Sequence, residues 1–436
     1  MGRRSDDVAA GETVIRGATV VDATGARRAD VLVRDGRIVA VEPTIEHGGG
    51  RELLDAAGCV LAPGLVDLHT HLRQPGREEA ETVETGSRAA ALGGYTAVLA
   101  MPNTEPAIDS AAMVNEVLEL GRAAVCEVHT SGAITVGREG EKLAPMAEMA
   151  ALGVTLFTDD GRGVQDSRLM RRALEYARDL GVTLAQHCED EGLVQGGAMH
   201  EGEWSSRLGL PGQPAEAEEL MVLRDLALVR LTGARTHFQH LSTSGSVELV
   251  RRARGEGLPV SAEATTHHFT LTDAACAGYD AVFKVNPPLR TADDVASVKQ
   301  GLADGALDAI ATDHAPHAAN LKELPFDQAP PGMLGLETAL ALSLTELDVP
   351  MAQVLGLLSW RPAAIAGLSE AHGGPIEPGR PAHLCVIDPT HEWVVDPAGL
   401  ASRARNTPYA GRKVRGKVRH TLLRGEVVVR DGEAQR

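Results

Sequence analysis

The sequence predicts an α/β protein: a parallel (β/α)8 TIM barrel with a small β-sandwich domain formed from both termini. Three observations lead there. Eight strand-like segments alternate with helix-like stretches through the middle of the chain. The segments on either side of that middle are short, rich in β-branched residues and punctuated by turns. His and Asp recur at the ends of the alternating strands, the rim where barrels of this kind keep their chemistry. The competing architecture, an open doubly wound sheet, calls for a glycine-rich phosphate loop after its first strand, and Gly-x-Gly-x-x-Gly is absent there.

From Thr13 to about Leu61 the run Val14–Val21 leads to Val31–Val41, and the Asp35-Gly36 pair inside the latter is a hairpin signal. His383–Ile387 and Val427–Gly432 have the same β character near the other end. One small domain assembled from both ends is therefore expected, with residues 1–62 and 373–436 as its halves and 63–372 as the barrel. Barrel strands are expected at Gly64–His71, Thr96–Met101, Glu127–Ile134, Val154–Asp160, Val182–His187, Thr236–Leu241, Pro259–Ala264 and Leu307–Thr312. Helices are expected at Ala80–Leu92, Asp166–Leu180, Ala215–Leu231, Gly245–Gly255 and Ala292–Asp304.

With 436 residues, 43% hydrophobic and 23% charged, the chain can bury a large core, and its composition is ordinary for a globular protein. A formal charge of −18 argues against a nucleic-acid surface. The Arg/Lys cluster from Arg412 to Arg419 reads as a solvated surface. The five cysteines are scattered and form no Cys-x-x-Cys pair, which fits buried thiols in a reducing compartment. No secretory apolar region follows Met1-Gly2-Arg3-Arg4, and no apolar run is long enough to span a bilayer, so the expected location is cytoplasmic, with no membrane contact.

The chemistry starts at His69 and His71. Residues two apart on a strand share a face, so both imidazoles can aim at one point past the strand's end, which suits a metal ion. Asn103 follows the second strand, Asp159-Asp160 the fourth, His187 the fifth, His240 the sixth, and Asp313, His314 and His317 the eighth. By alternation His187 shares its face with Thr183 and Ala185, and His240 with Thr236 and Phe238. Singly, a strand-end His is an ordinary structural residue, Asp160-Gly161 an ordinary turn, and Asp313 a helix cap. Jointly, four His and two carboxylates at one rim are a set for two borderline divalent ions, zinc by default, with one carboxylate bridging.

A family resemblance then becomes specific. Asp67-Leu68-His69-Thr70-His71-Leu72-Arg73-Gln74-Pro75-Gly76 resembles the metal-binding signature of dihydroorotases in the amidohydrolase superfamily. Met101-Pro102-Asn103-Thr104, Thr158-Asp159-Asp160-Gly161, His187-Cys188-Glu189-Asp190, Ala311–His317 and Gly335-Leu336-Glu337-Thr338 resemble the later blocks of that family, in order.

The resemblance implies that His69 and His71 hold one metal, His187 and His240 a second, and Asp160 bridges them, with one or two zinc ions per subunit and two favoured. It implies that Asp313 binds the first metal and is the catalytic base. Arg73 and Asn103 would grip the substrate carboxylate. His71, Asn286, His317 and the Pro331-Gly332 pair would complete the substrate contacts. The implied reaction is reversible hydrolysis of L-dihydroorotate to N-carbamoyl-L-aspartate by metal-activated water, in pyrimidine (UMP) biosynthesis.

Hydantoinases, dihydropyrimidinases and many other dihydroorotases bridge their metals with a carboxylated Lys. Here the fourth strand ends in Asp159-Asp160 and contains no Lys, resembling the bacterial type with an Asp bridge. Two departures stand out: Gln74 where the family often has Glu, and Pro331 where it has an aromatic residue. The alternatives are a related cyclic amidase acting on hydantoins, dihydropyrimidines or allantoin, and a non-catalytic scaffold for aspartate transcarbamoylase. A homodimer is expected from related enzymes, and association with that transcarbamoylase is left open by the sequence.

Overall fold

The computed structural model describes residues 11–46 and 51–436; Met1–Arg4 and the rest of the first ten residues lie outside the described residues. All eight barrel strands are present, as Leu65–Thr70, Tyr95–Ala100, Glu127–Thr130, Leu156–Phe157, Thr183–Gln186, Thr236–Phe238, Val260–Thr265 and Ala309–Ala311. They pair in parallel with their neighbours, in registers such as Val66 with Ala97, Leu184 with Thr236 and Ala264 with Ile310. Single parallel bridges from Gly132 to Phe157 and from Thr70 to His314 join the three-stranded and five-stranded arcs into a closed ring. Asp67 reinforces the second seam, accepting from the Thr312 amide (3.0 Å) and the Thr312 hydroxyl (2.5 Å). Most strands are shorter than expected because their last residues leave the ladder to form the rim.

The interior of the ring is filled by Leu68, Leu99, Met101, Leu156, Ala185 and Ala309, with Ala366 packed beneath. The outer layer consists of helices whose apolar stripes cover the strands. Ser167–Leu180 starts where Asp166 accepts from the Leu169 amide and ends at Gly181, whose φ of 70° a side chain would strain. Ala292–Asp304 is opened by a capping box between Thr291 and Asp294. Val83–Leu92, Glu216–Thr232 and Ser244–Gly255 stand close to where periodicity puts them. Further helices, among them Ala111–Leu120, Met146–Ala150, Ala339–Glu346, Met351–Leu358 and Trp360–Ile365, lie outside the stretches that periodicity picks out. Ala339–Glu346 shows why: its residues from Ala339 to Leu344 are all buried, so no apolar stripe alternates with a polar one.

Strands from both ends of the chain build the smaller domain. Leu384–Val394 runs antiparallel to Val60–Pro63 within a seven-stranded sheet, with Leu384 opposite Pro63 and Val386 opposite Leu61. A four-stranded sheet faces it, and Ile15, Val20, Val31, Val33, Leu54, Leu61, Leu384, Val386 and Leu422 fill the space between. The run Val14–Val21 is two strands, Thr13–Arg16 and Thr19–Asp22, because Gly17 (φ 79°) turns the chain from one sheet to the other. Asp35 (φ 50°) and Gly36 (φ 75°) form the expected hairpin, both central residues in the left-handed region that matches the strand twist.

The basic stretch is largely paired. Arg412 meets Glu346, Lys413 meets Glu392 and Arg419 meets Asp431, while Lys417 lies over the Trp393 ring. All five cysteines are free and buried. Among the described residues no helix is long and apolar enough to cross a membrane.

Candidate active site

The six metal-ligand candidates converge at the C-terminal rim of the barrel, and all are buried. His69 Nε2 lies 3.2 Å from Asp160 Oδ1 and 3.6 Å from Asp313 Oδ1. His71 Nε2 lies 3.6 Å from Asp160 Oδ2 and 3.0 Å from Asp313 Oδ1. On the other side of Asp160, His187 Nδ1 and His240 Nε2 approach Oδ1 at 3.7 and 3.6 Å. His69 and His71, and His187 and His240, thus form two donor groups that share Asp160. The adjacent Asp159 is spent elsewhere: its carboxylate accepts from the amides of Ile134 and Thr135 at 2.8 and 3.0 Å. Sequence left these two Asp residues unresolved, and hydrogen bonding separates them.

The backbone is bent to achieve this convergence. His240 (φ 34°), Asp313 (φ 43°) and Arg73 (φ 60°) all occupy the left-handed region without being glycine. Such conformations cost about 1–3 kcal/mol each and persist where surrounding structure imposes them. His240 corrects the alternation argument. Phe238 packs in the outer cluster against the helices, whereas His237 reaches Glu263 at 3.1 Å and Gln239 lies 3.2 Å from His69. The inward face of the sixth strand is therefore His237 and Gln239, and His240 enters the site only because the strand ends at Phe238 and the chain turns.

A layer behind the cluster was missed by sequence reasoning. Glu263 Oε1 lies 3.1 Å from His69 Nδ1, which puts the ring proton on Nδ1 and leaves the Nε2 lone pair facing the cluster. Glu189 stands 3.5 Å behind His187 Nε2 in the same arrangement. An acid within the apolar strand Val260–Thr265 was the available signal for Glu263. His314, beside Asp313, is structural, bonded to Glu81 at 3.2 Å and accepting from the Gly335 amide at 3.3 Å.

The donor set fits metal ions. His69 Nε2 is buried without a hydrogen-bond partner among the described residues, and His187 Nδ1 and His240 Nε2 face each other at 2.9 Å while both face one carboxylate oxygen. Burial alone would raise the Asp160 and Asp313 carboxyls, but the surrounding imidazoles outweigh it and hold both well below the usual carboxylate range.

Beside the cluster lies a cavity of about 230 Å³ lined by Arg73, Asn103, Asn286, His317, Pro331 and Gly332, among others. Asn103 Oδ1 accepts from His71 Nδ1 at 2.8 Å, and its amide nitrogen donates to Asp160 Oδ2 at 3.3 Å. Arg73 is buried, donates through Nε to the Pro316 carbonyl (3.1 Å), and makes no ion pair among the described residues. Burial lowers its guanidinium to about 10, still cationic at neutral pH. Glu78 and Glu79 do not pair with it, and Gln74 turns away, accepting from the Val83 amide at 3.0 Å. His317 donates from Nε2 to the Pro331 carbonyl at 2.8 Å. The Gly332 amide donates to Lys284 O (2.8 Å) and its carbonyl accepts from Asn406 (3.1 Å), so the polar groups of this glycine are already committed. At φ 138°, a Cβ on Gly332 would stand 2.8 Å from both Ala315 Cβ and His317 Nε2.

The family model described as Dihydro-orotase-like matches residues 58–246. A dihydroorotase of Pelotomaculum thermopropionicum is 48% identical over 96% of this chain and 98% of its own length. Those of Streptomyces coelicolor and Mycobacterium tuberculosis are each 49% identical, over 97% and 93% of this chain and 99% and 96% of theirs. Among solved structures, an L-hydantoinase (dihydropyrimidinase) from Arthrobacter aurescens superposes with a TM-score of 0.88 at 24% identity over 97% of each chain, a likeness of fold. A D-hydantoinase from a Bacillus sp. gives a TM-score of 0.85 at 26% identity, over 97% of this chain and 96% of that one.

Proposed function

The chain belongs to the dihydroorotase family, and from that premise we propose that its barrel rim catalyses the reversible hydrolysis of L-dihydroorotate to N-carbamoyl-L-aspartate in pyrimidine (UMP) biosynthesis. The observation that carries this reading is a buried Arg73 without an ionic partner facing the cavity beside two donor groups that share Asp160. An arginine so placed leaves an unpaired charge unless the ligand brings an anion, and dihydroorotate brings a carboxylate.

His69, His71 and Asp313 would hold one ion and His187 and His240 a second, with Asp160 between them. Zinc at two ions per subunit is the proposed loading, supported by the N/O donor set and the two groups. When bound, the metal supplies Lewis-acid polarisation of the ring amide carbonyl and lowers the pKa of a water to about 7. Glu263 and Glu189 orient the His69 and His187 rings. Asp313, kept ionised, accepts the proton of the attacking water as its oxygen bonds to the carbonyl carbon. As the carbon–nitrogen bond breaks, Asp313 returns that proton to the leaving ring nitrogen. Arg73 and Asn103 hold the carboxylate, and Asn286 and His317 face the ring. Run in reverse, the same groups close the ring.

A hydantoin or dihydropyrimidine substrate is less well supported. The solved structures of those enzymes share the fold at 24–26% identity, against 48–49% for the dihydroorotases. Neither substrate carries the carboxylate that Arg73 would pair. The scaffold alternative is disfavoured because every expected ligand is present and convergent. Domain boundaries after residues 62 and 372 belong to the same reading, supported by Val60–Pro63 pairing in the sandwich sheet and Leu65 opening the barrel. So do a cytoplasmic location, which is supported by the scattered buried thiols, and a homodimer able to associate with aspartate transcarbamoylase, which rests on the family resemblance.

The test is ultraviolet absorbance of dihydroorotate with the purified protein, before and after chelation and with zinc restored, with hydantoin and allantoin alongside. Chelator-sensitive turnover of dihydroorotate alone is expected. Turnover of hydantoin instead would overturn the substrate, and zinc binding without any turnover would favour the scaffold.

A further inference from the structure

At the opposite end of the barrel stands a second group of metal-type donors that the reaction does not use. Glu127 and His129 are two apart on the third barrel strand and share a face, the same local logic as His69 and His71. His372 comes from the segment that joins the last barrel helix to the first C-terminal sandwich strand. One ligand atom from each of the three lies within 4.8 Å of the others.

The hydrogen bonding assigns each atom a part. Both Arg424 Nε and Nη2 donate to Glu127 Oε1 at 2.7 Å, which leaves Oε2 for the histidines. His383 Nδ1 accepts from the Arg424 amide at 3.4 Å, so its proton sits on Nε2, pointing to Glu127 Oε1 at 3.5 Å; His383 is a neighbour and not a ligand. His372 Nε2 lies 2.9 Å from Glu127 Oε2, with its Nδ1 3.1 Å from the Thr96 hydroxyl. When Nδ1 donates to Thr96, Nε2 presents a lone pair toward the carboxylate, an arrangement that requires a cation between them. His129 Nε2 supplies the independent sign: on a ring that is 32% exposed this atom is shielded from solvent, lies 3.6 Å from Glu127 Oε2, and has no hydrogen-bond partner among the described residues. A lone proton between Glu127 and His372 leaves that nitrogen unsatisfied, whereas a single divalent ion satisfies all three atoms.

We propose that Glu127 Oε2, His129 Nε2 and His372 Nε2 form a further site for a borderline divalent cation of the zinc type. A fourth position opens on a cavity of about 420 Å³ lined by Glu127, His129, Arg122 and Arg424 among others, where solvent or a small anion completes the shell. The Arg424 guanidinium repels the ion, but it sits on the far carboxylate oxygen. The cavity is open to water and the chain carries a net charge of −18, both of which moderate the repulsion. The ion would pin the C-terminal connection to the barrel floor, far from the reacting groups, so the inference stands apart from the choice of substrate.

The experiment is to load the full-length protein with zinc, remove unbound metal, and count zinc per subunit in wild type and in His129→Ala. The expected result is the loss of one equivalent in the variant with dihydroorotate turnover unchanged. Crystals of the zinc-loaded wild type, measured on either side of the zinc edge, should show an anomalous peak between Glu127, His129 and His372. Equal zinc content in both proteins, or the absence of that peak, overturns the site. Should the variant fail to fold, the anomalous peak in the wild type decides alone.

Discussion

In the proposed reaction Asp313 and Arg73 carry the two chemical demands, and each is separable by substitution. Asp313 touches His69 and His71 and is held ionised among imidazoles. Asp313→Asn keeps the shape and one donor oxygen but cannot shuttle a proton, so turnover is expected to fall by about a thousandfold, within the range for a lost general base. Circular dichroism and metal content should stay close to wild type, and substantial residual turnover would remove Asp313 from the base role. Arg73→Met deletes the charge assigned to the substrate carboxylate without touching a metal-ligand candidate. Its KM for dihydroorotate should rise on the order of a hundredfold, as for a broken buried charge pair, with zinc content unchanged. An unaltered KM would sink the carboxylate assignment.

At the scale of elements, the segment from His317 to Gly332 lines the cavity at its two ends and contains the short helix Ala319–Lys322. Lys322 ties it down, donating to the Pro330 carbonyl at 2.8 Å and the Ala281 carbonyl at 2.9 Å. The same ammonium therefore fixes both the Pro331-Gly332 wall and the approach to Asn286. Lys322→Met should loosen both walls together, raising KM by about tenfold, which corresponds to roughly 1.4 kcal/mol of lost ordering. Thermal stability should change little. A wild-type KM in this variant would mean that the Gly332–Lys284 bond holds the wall unaided.

For the whole molecule, Glu337 links the end of the barrel to the C-terminal segment, accepting from the Ala401 and Ser402 amides at 2.9 and 3.3 Å. Burial raises its carboxyl from the ordinary 4.5 to about 7. The folded state thus holds this proton more tightly than the unfolded chain. Its contribution to stability is full below pH 4.5 and is lost as pH rises through about 7. Glu337→Gln keeps an acceptor without the charge, so it should stabilise the protein by about 1 kcal/mol at pH 8, discounting for partial exposure, and by nothing at pH 4. Chemical denaturation at the two pH values checks this, and an equal shift at both would reject the titration. What the sequence by itself determined was whatever local pattern encodes. Eight strands could be read from their periodicity, the hairpin from Asp35-Gly36, and the rim ligands from polar residues at the ends of apolar runs. What only the tertiary structure decided was everything that joins distant segments. At least 24 residues separate the partners of each such contact, and no local pattern records them: Glu263 behind His69, Asp159 diverted to Ile134 and Thr135, and Glu127 beside His372. His240 shows the limit most plainly, because alternation assumes a continuous strand and the chain turns at that residue.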